Sequence, residues 1–98
     1  MKTNMNVKRD LCYGTSYQGE VETTYDTLVQ IFGPGKPQDG DKVNMEWLGT
    51  VDGEVFTIYD WKEGDVDLDT ITYWHIGGNK REVANKIRSK VISPILFE

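Results

Sequence analysis

The feature that most constrains this chain is the pair Asp52-Gly53, set between two extended runs in "VNMEWLGTV-DG-EVFTIYDWK". An Asp-Gly dipeptide flanked by such runs predicts a two-residue β-hairpin with a primed turn, because both central residues must take positive φ. A turn of that length also fixes the register. Val51 is expected opposite Glu54, Gly49 opposite Phe56, Trp47 opposite Ile58, and Met45 opposite Asp60. Alternation then sorts the side chains into two faces. One carries Val43, Met45, Trp47, Val51, Phe56 and Ile58, apolar enough to be the core. The other carries Asn44, Glu46, Leu48, Thr50, Val55, Thr57, Tyr59 and Trp61, with Glu46 beside Tyr59 and Asn44 beside Trp61. A solvated face would hold more charge and fewer large aromatics, so the second face reads as a contact surface.

A third strand is expected in "TITYWHIGG", with Trp74 and Ile76 on one face and Ile71, Tyr73 and His75 on the other. Two helices flank the strands. In "TTYDTLVQIF", Tyr25, Leu28, Val29 and Phe32 recur at helical spacing, Thr23 or Thr24 can cap the start, Asp26 suits the positive end, and Gly33-Pro34 stops the run. In "NKREVANKIRSKVIS", Asn79 and Glu82 suggest a capping box, Val83, Ile87 and Val91 form the buried stripe with Ala84 and Ile92 beside it, and Pro94 ends the helix. Residues 1–12 show no period and read as a fraying tail or a short edge strand. "CYGTSYQG" and "GPGKPQDGDK" read as loops. The expected architecture is a single α+β domain over residues 1–98. A small antiparallel sheet of three to four strands has two helices packed on one face and leaves its other face uncovered in a monomer.

At 98 residues the chain suits one domain with a modest core, whose stability subunit pairing would help. A composition of 38% hydrophobic and 28% charged residues is that of a folded protein. Sixteen acidic against eleven basic side chains give a net charge of −5, which opposes a nucleic-acid polymer as partner. A small phosphate ligand needs only a few local cations or N–H groups. Cys12 stands alone, so neither an intrachain disulfide nor a multi-cysteine zinc site is available. "MKTNMNVKRDL" lacks the apolar core of a signal peptide, and no run is long enough to span a membrane. A soluble protein of a reducing cytoplasm is expected.

Several motifs that invite chemistry fail on spacing. "DVDLD" (Asp65, Asp67, Asp69) begins like a calcium loop, but Thr70 stands where the glycine belongs and Ile76 where the glutamate belongs. "FGPGKP" has no Ser or Thr after Lys36 and is a helix stop rather than a phosphate loop. His75, the one histidine, has no nucleophile motif near it in sequence, so no catalytic residue is assigned, nor any metal or cofactor. A ligand-binding set is expected instead. Thr15, Ser16 and Tyr17 come from the polar loop. Tyr59, Trp61 and Lys62 form an aromatic plane beside a cation, which suits a nucleobase and its phosphate. Tyr73 and His75 share the far face of the third strand, and Gly78 and Asn79 lie at the helix start, where free N–H groups attract anions. An interface between subunits would also enrich aromatics, and a ligand can sit within one.

Taken in order, "YGTSYQG", the helix ending in "FGPG", "DGDKVNMEW", "DGEVFTIYDWK" and "WHIGGN" resemble, over roughly residues 13–90, a large phage family of anti-CBASS sponges. The resemblance implies a homotetramer that binds a cyclic dinucleotide such as cyclic GMP–AMP without cleaving it, and so starves a host defence effector of its activator in the host cytoplasm. No contact residues are transferred from the family. Two other classes compete: an inhibitor that binds a host defence protein directly, as an anti-CRISPR or a mimic of DNA charge, and a nucleotide hydrolase acting through His75.

Overall fold

The computed structural model describes residues 2–39 and 42–92. The strands are β1 (Thr3–Met5), β2 (Ser16–Glu22), β3 (Lys36–Pro37), β4 (Met45–Val51), β5 (Glu54–Tyr59) and β6 (Tyr73–Gly78); the helices are α1 (Tyr25–Phe32) and α2 (Arg81–Ile92). Short 3-10 turns occupy Arg9–Cys12 and Leu68–Thr70. All pairings are antiparallel, in the order β1-β4-β5-β6-β2, with β3 joined to the same edge of β4 as β1. The fold is α+β with both helices on one face, but the sheet has six strands, not three to four.

The extra strands come from segments without an apolar alternation. β1 pairs Thr3 with Val51 and Met5 with Gly49, so the N-terminal segment is an edge strand. β2 was expected to be loop at its start; among its residues Ser16–Glu22, Val21 is the one that is buried. Its stability comes from pairing with β6, a contact made at long range that local sequence does not announce. β3 is two residues of the turn-rich loop.

The hairpin behaves as its turn dictates. Asp52 and Gly53 take φ of 50° and 84°, as a primed turn requires. Val51 pairs with Glu54, Gly49 with Phe56, Trp47 with Ile58 and Glu46 with Tyr59. The ladder ends there. Where Met45 was expected opposite Asp60, the Asp60 side chain takes over: its Oδ1 accepts from the backbone N–H groups of Asn44 (2.8 Å) and Met45 (2.9 Å), and its Oδ2 from Asn44 Nδ2 (2.9 Å). This carboxylate is fully buried, and three N–H donors compensate its desolvation.

The core lies between the sheet and the helices. Trp47, Phe56, Ile58, Trp74 and Ile76 meet Leu28 and Phe32 of α1 and Val83, Ala84, Ile87 and Val91 of α2. Trp47 and Trp74 meet edge to face at 5.5 Å, and each indole N–H is satisfied by a carbonyl, Trp47 by Gly33 (2.8 Å) and Trp74 by Thr23 (3.1 Å). Thr24 caps α1 by accepting from the Thr27 N–H. Three expectations are corrected here. Ile71 joins the core, because β6 starts only at Tyr73 and alternation does not reach back to it. Ile92 is exposed. α2 starts at Arg81, so Asn79 lies upstream of its first turn rather than capping it. Pro94 lies outside the described residues.

The second face of the sheet is not left bare. After β1 the chain turns at Asn6, whose N–H donates to Leu48 O (2.9 Å), and residues 6–15 cross that face. Leu48 and Thr57, both on it, are buried. Arg9 from the crossing segment bonds Glu46 Oε1 at 2.6 Å. The crossing runs over the middle of the face, past Leu48 and Thr57, reaches Glu46 through Arg9, and leaves Trp61, beyond the end of the ladder, exposed.

Candidate functional site

The face around Trp61 holds four rings. Tyr59 ends β5 and Trp61 follows two residues later on the same side. His75 is opposite Tyr59 on β6. Tyr17 arrives from β2 by way of an irregularity. Strict alternation would put Tyr17 on the same face as Gly19 and Val21, toward the helices. A β-bulge between Tyr17 and Gly19 inserts Gln18 as an extra residue, so Tyr17 pairs with Gly77 and Gly19 with Ile76. The parity of the strand changes there, and Tyr17 joins the aromatic face. Gln18 is held by its Nε2, which donates to Gly78 O at 3.0 Å.

His75 is the hub. Its ring centroid is 4.8 Å from Tyr17 and 5.5 Å from Tyr59, both edge-on, and 6.1 Å from Trp61 with the planes 25° apart. Tyr59 and Trp61 meet edge-on at 6.2 Å. Burial, then the Glu46 carboxylate, then Tyr17 push the Tyr59 phenol above its usual pKa, so it is a neutral hydroxyl at physiological pH. These four residues line a cavity of about 380 Å³, within the size range of small-molecule sites. Tyr17 and Trp61 remain well exposed, at 53% and 40%. Two ammonium groups stand over the Trp61 ring, Lys62 Nζ at 5.6 Å and Lys42 Nζ at 6.0 Å. Lys62 has φ of 56°, and its N–H donates to Lys42 O at 2.8 Å, which brings the two lysines to one rim.

A second, smaller cavity of about 200 Å³ adjoins the first on the other side of Tyr59, toward Thr57. Thr15, Ser16, Glu46, Thr57 and Arg9 are among its walls. Gly77 is required at its floor: a Cβ there would run into the Thr57 hydroxyl and approach the Tyr59 ring. Cys12 also lines this cavity, and burial, with the Glu46 carboxylate, raises its thiol pKa, which keeps it protonated.

Of the expected binding residues, Tyr17, Tyr59, Trp61 and His75 form one cavity with Lys62 at its rim. Thr15 and Ser16 line the adjoining polar cavity. Tyr73 shares the face but stands apart at its edge, 51% exposed, with its hydroxyl bonded to the Glu22 carboxylate, which raises its pKa. Gly78, the last residue of β6, faces the other way, against Val83, and Asn79 follows it between the strand and α2. Lys42, Arg9 and Glu46 were not among the expected ligand contacts. Glu46 had a signal in the hairpin register; Lys42 and Arg9 had none, since tertiary contacts alone bring them in.

Among the described residues, no group of three or more His, Cys, Asp or Glu side chains is placed to hold a metal ion, and no helix is long and apolar enough to cross a membrane. No family model matches the chain, and neither a curated protein nor a solved structure matches it at a significant level.

Proposed function

We propose that this protein is a binding protein that sequesters a cyclic dinucleotide without cleaving it, as a homo-oligomer acting against a host defence signal in the host cytoplasm. The observation that carries the reading is the cavity in which Tyr17, Tyr59, Trp61 and His75 converge with two lysine ammonium groups over the Trp61 ring. Aromatic faces stack any base, and adjacent cations neutralise a phosphate. A chain with net charge −5 thereby offers an anion local positive charge without attracting a polyanionic strand overall. His75 serves as a stacking and hydrogen-bonding wall, packed among three rings.

The test is incubation with a panel of cyclic mono- and dinucleotides, filtration, then release by heat. Intact nucleotide recovered only after denaturation supports sequestration. Chemically altered nucleotide means turnover, and retention of none of the panel overturns the reading. Trp61→Ala is expected to weaken binding by about 1–3 kcal/mol, the cost of one lost stacking partner, with the fold intact. Light scattering in solution measures the oligomer, for which four chains are expected.

A further inference from the structure

The two cavities differ in chemistry, and Tyr59 is the wall they share. Along the β5 direction, Thr57 marks the polar cavity, Tyr59 the partition and Trp61 the aromatic cavity. Lys42 and Lys62 stand at the Trp61 end, while Glu46 and Arg9 stand across Tyr59. A nucleotide has the same polarity: phosphate at one end, base in the middle, and the hydrogen-bonding base edge at the far end. With phosphate near the lysines and base among the rings, the base edge faces the polar cavity.

What that cavity offers is specific. Glu46 has a largely buried side chain, 15% exposed, and Arg9 holds its Oε1 at 2.6 Å. The guanidinium raises no objection to a carbonyl, since it only donates; the carboxylate only accepts. Arg9 beside Glu46 therefore presents donor then acceptors in a row. Guanine presents the complement, O6 as acceptor followed by N1–H and the N2 amino group as donors. Adenine presents an N6 donor and an N1 lone pair, which would face the carboxylate. We propose that the polar cavity reads the Watson–Crick edge of the stacked base, with Glu46 accepting from guanine N1–H and N2–H and Arg9 donating to O6, so that the site selects guanine over adenine. The proposal rests on the sequestration reading and names the ligand class of that site.

Cyclic di-GMP and cyclic di-AMP share charge and backbone and differ in their bases, so calorimetric titration of the unaltered protein with each tests the proposal directly. Cyclic di-GMP is expected to bind at least about tenfold tighter, since an unpaired buried acceptor is what rejects the wrong partner. In Glu46→Gln, close in shape, that ratio is expected to collapse toward one; a thermal melt shows whether the variant is folded. Equal affinities, or a preference for cyclic di-AMP, overturn the base-edge assignment and leave sequestration standing. An unchanged ratio in folded Glu46→Gln also overturns it. If no member of the wider panel binds, sequestration fails and the base-edge assignment fails with it.

Discussion

Asp60 Oδ1 accepts the backbone N–H of Met45 at 2.9 Å, so a side chain replaces the main-chain partner where the β4–β5 ladder ends. The bond matters beyond the strand end. Trp61 is the next residue, and Asn44, also held by Asp60, donates from Nδ2 to Gly64 O at 2.8 Å. One buried carboxylate thus fixes the path of the chain that carries Trp61 and Lys62.

Removing it is expected to be costly. Asp60→Ala leaves the buried Met45 N–H and two part-buried Asn44 N–H donors without their acceptor, at about 1–3 kcal/mol for each buried group. A loss of at least ~1 kcal/mol is expected, which lowers the Tm of a domain this size by ~4 °C or more. Asp60→Asn retains one acceptor and should lose less. A melt in which Asp60→Ala matches the parent would show that these bonds contribute nothing net.

The three tryptophans sort by accessibility. Trp47 and Trp74 are 1% and 0% exposed, and Trp61 is 40% exposed. Acrylamide quenching should divide the emission into a protected part and an accessible part, with Trp61→Phe removing the accessible part. A bound cyclic nucleotide should protect the same part. Quenching of all emission with one constant would contradict this arrangement.

Gly77 lies at the floor of the polar cavity, directly beside the Thr57 side chain. Gly77→Ala forces its new methyl group against the Thr57 hydroxyl, on a side chain that is buried and stiff about χ1. Overpacking of this kind costs about 1–3 kcal/mol. Thr57→Ala in the same chain should restore part of the loss, measured as a coupling in a double-mutant cycle of denaturant melts. Additive effects would mean that the two residues do not collide.

The turn residue Asp52 links three segments. Its Oδ1 accepts from Lys2 N (2.9 Å) and its Oδ2 pairs with Lys86 Nζ (3.3 Å); these contacts, the backbone bond first, hold its pKa below the usual carboxylate value. A depressed native pKa means that the unfolded chain binds the proton more readily. The contribution is therefore present above the unfolded pKa, about 4, and is lost as pH falls through the native value. Asp52→Asn keeps a residue suited to the turn and is expected to flatten the acid limb of a stability–pH curve, with little change in the shape of the curve at neutral pH. An acid limb identical in both proteins would exclude the linkage.

Local chemistry decided much of this protein. Asp52-Gly53 set a hairpin register that holds from Val51–Glu54 to Glu46–Tyr59, because a two-residue turn leaves no freedom in pairing. Helical spacing placed Leu28, Phe32, Val83, Ile87 and Val91 in the core, because each helix buries one stripe. The same alternation put Tyr59, Trp61 and His75 on one face. The rest depended on contacts between distant segments. The stretch Ser16–Glu22 has no apolar period, and only β6, more than fifty residues on at every pair, makes it a strand. Its bulge then reverses the parity that sequence assigns to Tyr17 and brings it to His75. Arg9 reaches Glu46 because residues 6–15 cross the second face, and Lys42 reaches Trp61 through a backbone bond to Lys62. Periodicity and turn geometry act over a few residues and are written in the chain. A bulge, a crossing segment and a shared rim are settled by long-range pairing, whose free energy appears only when the whole sheet has formed.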